Sequence, residues 1–219
     1  MPITPALLPK LIQSIADTIV KNADEVTALD QAIGDGDHVF NLQRGLTALV
    51  DQSAELANLD WGSAWQKIGM TLMTTIGGAS GSLYGTLFIA MNKATLDKTL
   101  TREIFADVFA QGVEAVKKRG RANAGEKTML DVYIPVADYL KTVDAAADLT
   151  KVLKQIACVA KEGVESTRDM VATKGRASFL GERSKGHIDA GAKTGQLMIC
   201  ALVDVLLDDL ARPPSATPA

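Results

Sequence analysis

The chain has 219 residues, of which 47% are apolar and 22% charged, the composition of a globular domain with a sizeable core. Its formal net charge is −3, its lysines and arginines are scattered, and aromatic residues make up only 5% of it. These properties exclude the basic field and the base-stacking surface that a nucleic-acid-binding protein needs.

The sequence also bears on where the protein resides. Cys158 and Cys200 lie far apart in apolar helical stretches, so we expect two buried thiols without a disulfide, as in a reducing compartment. The N-terminus lacks the basic start and apolar run of a signal peptide. The longest apolar window, Leu197–Leu207, is short and interrupted by Asp204, which predicts no membrane span. We therefore expect a cytoplasmic protein with no membrane partner.

Helical periodicity dominates the chain, because apolar residues recur at spacings of three and four. The segments with this pattern are, in chain order, Leu8–Ile19, Leu42–Leu49, Trp65–Ile76, Leu83–Ala94, Ile104–Val116, Met129–Leu140, Val152–Val171 and Leu202–Leu206. Alternating strand patterns are absent. The sequence therefore predicts an all-α bundle of about eight helices, antiparallel where the loops are short. We expect a single domain over residues 1–210 and a disordered Pro/Ala-rich tail over residues 211–219.

The first loop with unusual chemistry runs from Leu29 to Asn41 and holds three carboxylates, Asp30, Asp35 and Asp37. Close anions repel one another unless a cation neutralises them. The intervening glycines, at positions 34 and 36, allow the backbone to fold tightly enough to aim the carboxylates at one point. Hard oxygen ligands without an accompanying cysteine predict Mg²⁺ or Ca²⁺. Magnesium keeps coordination positions open for phosphate, so a nucleotide is its natural partner.

The loop has two other possible interpretations. An EF-hand fails, because Phe40 stands where that motif needs glycine and Leu46 where it needs glutamate. A solvated acidic turn, with Asp37 capping the following helix, stays open on the loop alone.

Two further loops are rich in small residues. The sequence GGASG at residues 77–81 lies between helical segments and can present free backbone N–H groups to a phosphate. As a lone motif it is a weak signal, since Gly-Gly also makes a tight turn between helices. Residues 120–128 nearly spell a P-loop, but Glu126 interrupts the motif and a charged helix replaces the strand that must precede it. We therefore expect a glycine-containing loop and a helix that starts near Thr128.

The fourth loop, residues 174–192, is long, basic and glycine-rich. Loops of this length inside a compact domain are usually functional. Arg176 is its candidate for bidentate contacts to a phosphate, although most of the arginines here fit an ordinary surface role.

Together these loops resemble the L subunits of dihydroxyacetone kinases, a family also found as the C-terminal domain of single-chain, ATP-using kinases. The matching stretches run in family order over nearly the whole chain. They are GDGDH (34–38) with Asn41, GGASG (77–81), Lys127-Thr128-Met129, KGRASFLGERS (174–184) and the stretch from Gly186 to Ala192.

The resemblance implies an eight-helix antiparallel barrel with a nucleotide at one end. It implies two Mg²⁺ ions on the residues matching Asp30, Asp35 and Asp37, with Arg176 and His38 closest to the chemistry. The implied nucleotide and phosphate contacts are His38, Asn41, Ala79, Ser80, Gly120, Met129, Arg176, Asp189 and Gly191.

The resemblance also implies partners. In stand-alone members, ADP acts as a bound coenzyme that a phosphohistidine-carrying M subunit of the phosphotransferase system (PTS) rephosphorylates. The ATP formed then phosphorylates dihydroxyacetone on a separate K subunit. This agrees with the residues, since phosphoryl transfer needs positioning and charge neutralisation more than a protein nucleophile.

One departure from the family pattern concerns the metal loop. Val39 stands where the family usually has glycine after the histidine. A β-branched residue does not readily take the backbone angles of glycine, so a shifted loop is expected here.

Three alternatives to this function remain open. They are a kinase subunit for another acceptor, such as a four-carbon ketose or a fatty acid, a nucleotide-sensing module without turnover, and a metal-dependent phosphatase. The phosphatase is the weakest, because His38 is the only base near the acidic loop.

Overall fold

A computed structural model describes residues 4–96 and 98–212, and within these ranges the chain forms helices and no β-strand. The prediction of an all-α fold is therefore confirmed. The α-helices are α1 (Leu8–Lys21), α2 (Ala23–Ile33), α3 (His38–Asp51), α4 (Ser53–Leu56), α5 (Trp61–Thr75), α6 (Gly78–Thr95), α7 (Arg102–Gly120), α8 (Leu130–Thr142), α9 (Leu149–Ser166) and α10 (Ala190–Ala211). Short 3₁₀ segments cover Pro5–Leu7, Thr167–Asp169 and Arg176–Ser184.

Each segment with helical periodicity lies largely within one of the long helices, but several boundaries differ from the prediction. Helix α2 was not predicted, because it buries only Val26 and Ile33 and so shows little periodicity. The predicted seventh helix ends at Ser166 instead of Val171, and α10 begins at Ala190, inside the stretch predicted as a loop. The N-cap explains this last boundary, since the side chain of Asp189 accepts a hydrogen bond from the N–H of Ala192.

The long helices pack in a circular order of neighbours. Within the described part of the chain, α1 contacts α3, α3 contacts α5, and α5 to α10 follow one another in sequence. Helix α10 in turn packs on α1, and α2 lies against α10. Buried apolar residues from all these helices form one core. This circular arrangement places several helix ends around one pocket. They are the starts of α3, α6, α8 and α10 and the ends of α2 and α7.

A close contact between α8 and α9 depends on a proline and a glycine. Pro135 lies inside α8 and has no N–H to donate to the carbonyl of Asp131, one turn earlier. Gly163 of α9 lies against this carbonyl, and a Cβ atom at position 163 would be 2.5 Å from its oxygen. Gly163 therefore allows α9 to approach the first turn of α8.

Two further predictions need correction. Cys158 was expected to be buried but is exposed on α9, where its Sγ atom lies 3.5 Å from Oε1 of Glu162. Both cysteines are free. Helix α10 has the length and apolar composition of a membrane span, contrary to the prediction, but 61% of that window is buried, as in the core helix of a soluble protein.

The domain boundary stays a prediction. Helix α10 continues through Ala211, the first residue of the tail that was expected to be disordered. Residues 213–219 of that tail lie outside the described residues.

Candidate functional site

The predicted loops converge on one open pocket of about 380 Å³. The predicted site residues that line it are Asp30, Asp35, Asp37, His38, Ala79, Ser80, Gly120, Met129, Arg176, Asp189 and Gly191. Asn41 is not among the lining residues. It lies one turn further along α3, where its Oδ1 accepts a hydrogen bond from Nη2 of Arg44 at 3.1 Å.

The three carboxylates form the acidic end of this pocket. One oxygen each of Asp30, Asp35 and Asp37 lies within 4.8 Å of the others. Gly34 makes this possible, because a Cβ atom there would overlap the carboxylate of Asp30. Gly36 has a φ of +77°, a left-handed conformation that favours glycine. The tight backbone predicted from the two glycines is therefore present.

This donor set fits the cation that the sequence predicts. The cluster offers oxygen ligands only, as Mg²⁺ and Ca²⁺ prefer, and its three oxygens are close enough together to surround one cation. The group is partly exposed, so a ligand in the pocket can share the same cation.

Val39 does not adopt the glycine-like backbone on which the expected shift of the loop was based. It is the second residue of α3, which begins at His38, and its side chain is buried in the core. Its backbone therefore has the ordinary helical conformation, which needs no glycine. Within the described residues, the non-glycine residues with positive φ are Arg121 and Lys127.

Arg176 closes one side of the acidic cluster. Its Nη2 lies 2.9 Å from Oδ2 of Asp35, although the arginine side chain is 69% exposed. Nearby, the ammonium group of Lys174 lies 3.2 Å from Oε1 of Glu126. These ion pairs hold the fourth loop against the pocket, but exposed pairs of this kind are weak and exchange easily with other partners.

His38 lies at the junction of the acidic loop and α6. Its backbone N–H donates to Oδ2 of Asp30 at 3.2 Å. Its Nε2 lies 2.9 Å from Oγ1 of Thr194 and its Nδ1 3.3 Å from Oγ of Ser80. Burial lowers the pKa of the ring, and the negative charges of Asp30 and Asp37 oppose that shift.

The start of α6 provides backbone donors next to His38. Gly77 occupies the N-cap position, and no side chain caps the first N–H groups of the helix. Gly81 is required for a tight turn, because a Cβ atom there would overlap the carbonyl oxygen of Ile76. The first turn, with Ala79 and Ser80, thus faces the pocket with its N–H groups unpaired by side chains, the arrangement that binds anions.

Lys127 and Asp131 organise the loop before α8, and their roles were not predicted. The side chain of Lys127 is buried, and its Nζ donates to the carbonyls of Thr167, at 2.5 Å, and His187. Asp131 accepts hydrogen bonds from the N–H groups of Gly125, at 2.5 Å, and Thr128, at 2.7 Å. Helix α8 begins at Leu130, close to the predicted start. The family motif includes Lys127. Because lysine is usually a surface residue, nothing in the sequence indicates that this one is buried.

Asp189 is a carboxylate set apart from the acidic cluster. Burial raises its pKa to about 6, and the hydrogen bond from Ala192 and the charge of Lys127 oppose that shift. Its backbone N–H donates to the hydroxyl of Thr167 at 3.1 Å. Asp189 therefore links the start of α10 to the segment that also holds Lys127.

The fold and the pocket together define a class of protein, an all-α domain with a pocket at the ends of its helices. A carboxylate cluster, cationic side chains and an uncapped helix start surround that pocket. A family model described as the DAK2 domain matches residues 32–204. The chain is 40% identical over 192 residues to the protein named PEP-dependent dihydroxyacetone kinase 1, ADP-binding subunit DhaL, of Listeria innocua serovar 6a, covering 88% of this chain and 92% of that protein.

A second relative has a similar name, and a solved structure has a similar fold. The chain is 39% identical over 185 residues to the PEP-dependent dihydroxyacetone kinase, ADP-binding subunit DhaL, of Escherichia coli K12, covering 84% of this chain and 88% of that protein. Its fold is similar to the dihydroxyacetone kinase from C. freundii in complex with AMP-PNP and Mg²⁺, with a TM-score of 0.71 and 23% identity, covering 93% of this chain and 34% of that one. The chain belongs to the DAK2 domain family, which confirms the resemblance inferred from its motifs.

Proposed function

We propose that this protein is the nucleotide-carrying subunit of a PTS-dependent dihydroxyacetone kinase and acts in the cytoplasm. It takes a phosphoryl group from a phosphohistidine on an M subunit onto bound ADP. It then passes that group from ATP to dihydroxyacetone on a K subunit. The names of the relatives, ADP-binding subunits of such kinases, support this assignment.

The acidic cluster beside an uncapped helix start is the observation that carries the proposal. Asp30, Asp35 and Asp37 would hold the two proposed Mg²⁺ ions, which would offset the charge of the phosphates. The first turn of α6 can donate to the phosphate oxygens. The other side of the pocket includes Leu83 and Val116, an apolar surface suited to a nucleobase.

Arg176 is the proposed cationic group of the transfer step. Its pairing with Asp35 places a guanidinium beside the phosphate end of the pocket, and its exposure leaves it free to change partner. A planar guanidinium can bind two oxygens of the transferred phosphoryl group at once. His38 assists by holding the hydroxyl of Ser80 at the start of α6.

The acceptor is proposed to arrive on a partner. The pocket opens to solvent, and exposed aromatic side chains lie close in sequence to its lining residues. Phe40, 67% exposed, follows His38 by two residues, and Phe179, 88% exposed, follows Arg176 by three. Exposed aromatic residues are suited to contact another protein. We propose that K and M subunits dock here in turn.

The test follows a labelled nucleotide. The protein is loaded with radiolabelled ADP and then mixed with excess unlabelled ADP, K subunit, phosphorylated M subunit and dihydroxyacetone. Dihydroxyacetone phosphate should accumulate over many turnovers while the label stays on the protein, because a nucleotide held by several loops and by metal ions leaves slowly.

Four outcomes contradict the proposal. Loss of the label within one turnover, or turnover with free ATP and no phosphohistidine donor, would identify an ordinary ATP-dependent kinase subunit. Product formation from a four-carbon ketose but not from dihydroxyacetone would identify a different acceptor. Retained ADP that no donor rephosphorylates would identify a nucleotide-sensing module.

A further inference from the structure

A chain of buried hydroxyl groups leads from the core to the ring of His38. The hydroxyl of Tyr133 donates to that of Tyr84 at 3.4 Å, and the side chain of Tyr84 lies beside that of Thr194. The oxygen of Thr194 lies 2.9 Å from Nε2 of His38, whose Nδ1 faces Ser80 in the pocket. Tyr84, Tyr133 and Thr194 are buried, with Thr194 fully inaccessible to solvent. None of the sequence motifs predicted a role for them.

Thr194 is the member of this series of hydroxyl groups that contacts the histidine ring. A threonine hydroxyl has one hydrogen to donate and two lone pairs to accept with. Thr194 donates its hydrogen to the carbonyl of Gly191, one turn earlier in α10, at 3.1 Å. With its hydrogen on Gly191, the oxygen of Thr194 is an acceptor for a hydrogen on Nε2 of His38. Tyr84 lies beside Thr194 and accepts a hydrogen bond from Tyr133.

The two ring nitrogens of His38 face opposite sides. Nε2 faces Thr194 in the core, and Nδ1 faces Ser80 at the start of α6. Burial raises the pKa of Tyr84 to about 12 and that of Tyr133 well above its ordinary value. Both phenols therefore keep their hydroxyl hydrogens at physiological pH.

We propose that Thr194 is a positioning residue for the phosphate end of the site, which holds the His38 ring with Nε2–H in the core and Nδ1 on Ser80. Thr194 acts through His38 and touches no ligand itself. This inference deepens the proposed function, since the orientation matters to a phosphate bound beside α6. The orientation itself is a property of the ligand-free protein.

The test compares Thr194→Val, which removes the hydroxyl but keeps the shape, with Thr194→Ser, which keeps the hydroxyl. Thr95→Val is the matched control. Thr95 is also buried and also donates to a carbonyl one turn earlier, that of Met91 at 2.7 Å, but it lies at the other end of α6. The chain has two histidines, so His187→Gln assigns their signals in a ¹⁵N NMR spectrum.

In the ligand-free protein at pH 8, wild type, Thr194→Ser and Thr95→Val should show a downfield, slowly exchanging Nε2–H signal from His38. Thr194→Val should lose that signal and bind Mg²⁺-ADP about tenfold more weakly, the effect expected from one lost buried hydrogen bond. Calorimetry with Mg²⁺-ADP measures the affinity.

Three results would overturn the inference. These are a wild-type His38 protonated on Nδ1 alone, an unchanged Nε2–H signal in Thr194→Val, and a Thr194→Val variant with wild-type ADP affinity. If the wild type binds no ADP at all, the proposed function fails, while the NMR comparison still decides the orientation of the ring.

Discussion

At the residue scale, the pocket wall depends on charged groups whose partners lie far away in sequence. Lys127 is 1% exposed and donates to carbonyls 40 and 60 residues further along the chain. Burial lowers its pKa, and the charge of Asp189 opposes that shift. Sequence reasoning located the acidic cluster because Asp30, Asp35 and Asp37 are local neighbours. It could not locate Lys127 or Thr194, whose roles come from long-range contacts.

Replacing Lys127 should test this link. Lys127→Met leaves the carbonyl of buried Thr167 and that of His187 without their donor, and a hydrogen bond to a charged group contributes about 1.5–3 kcal/mol. We expect the free energy of unfolding to fall by about 2–4 kcal/mol in urea titrations of the nucleotide-free protein. Lys154→Met, at an exposed position on α9, is the control and should change little. Equal stability of the two variants would show that the buried contacts contribute nothing.

Asp189 should give the nucleotide-free protein a particular pH dependence. Its pKa rises from an ordinary 3.8 to about 6 on folding, so between these pH values the folded state binds more protons than the unfolded state. Stability from this group is therefore present below pH 4 and lost as the pH rises through 6. Asp189→Asn lacks this titration, while asparagine still caps α10.

The measurement is the free energy of unfolding of wild type minus that of Asp189→Asn at several pH values. This difference should fall by roughly 3 kcal/mol between pH 4 and pH 7 and then stay level. A difference that is flat across this range, or that rises, would mean that Asp189 does not have the raised pKa.

At the element scale, helix starts decide where the functional groups lie. Asp60, Thr101, Asp148 and Asp189 each cap a long helix with a side-chain hydrogen bond. Such caps are local in sequence, so most helices could be predicted from the spacing of their apolar residues and from a polar residue just before the helix. Helix α2 could not, because its few buried residues give no clear period. The start of α10 was missed because the small residues after Asp189 were interpreted as loop.

The contact between α8 and α9 provides an element-scale prediction. Gly163→Ala places a methyl group 2.5 Å from the carbonyl oxygen of Asp131 and 3.0 Å from the Cα atom of Val132, so one helix must move. We expect a loss of about 1–3 kcal/mol in the free energy of unfolding, typical of overpacking. Because Asp131 braces the loop before α8, Mg²⁺-ADP affinity should fall as well. Lys161→Ala, exposed on α9, is the control, and similar values for both variants would rule out the steric effect.

At the scale of the whole molecule, the circular packing of helices brings distant loops to one pocket. Asp35 and Arg176 are 141 positions apart in the chain, yet their side chains are paired. The family resemblance predicted this convergence, which periodicity alone cannot do. The likeness to relatives named ADP-binding subunits and the oxygen-only cluster together support a protein that carries a magnesium nucleotide.

Calorimetric titration of ADP in the presence and absence of Mg²⁺ tests this central claim most directly. Wild type should bind ADP tightly only with Mg²⁺. Asp35→Asn and Asp37→Asn should each bind at least about a hundredfold more weakly, since each removes a proposed metal ligand. Asp24→Asn, at an exposed position in the first turn of α2, is the control and should match wild type. Wild-type affinity in both cluster variants, or ADP binding unaffected by removal of Mg²⁺, would contradict the account.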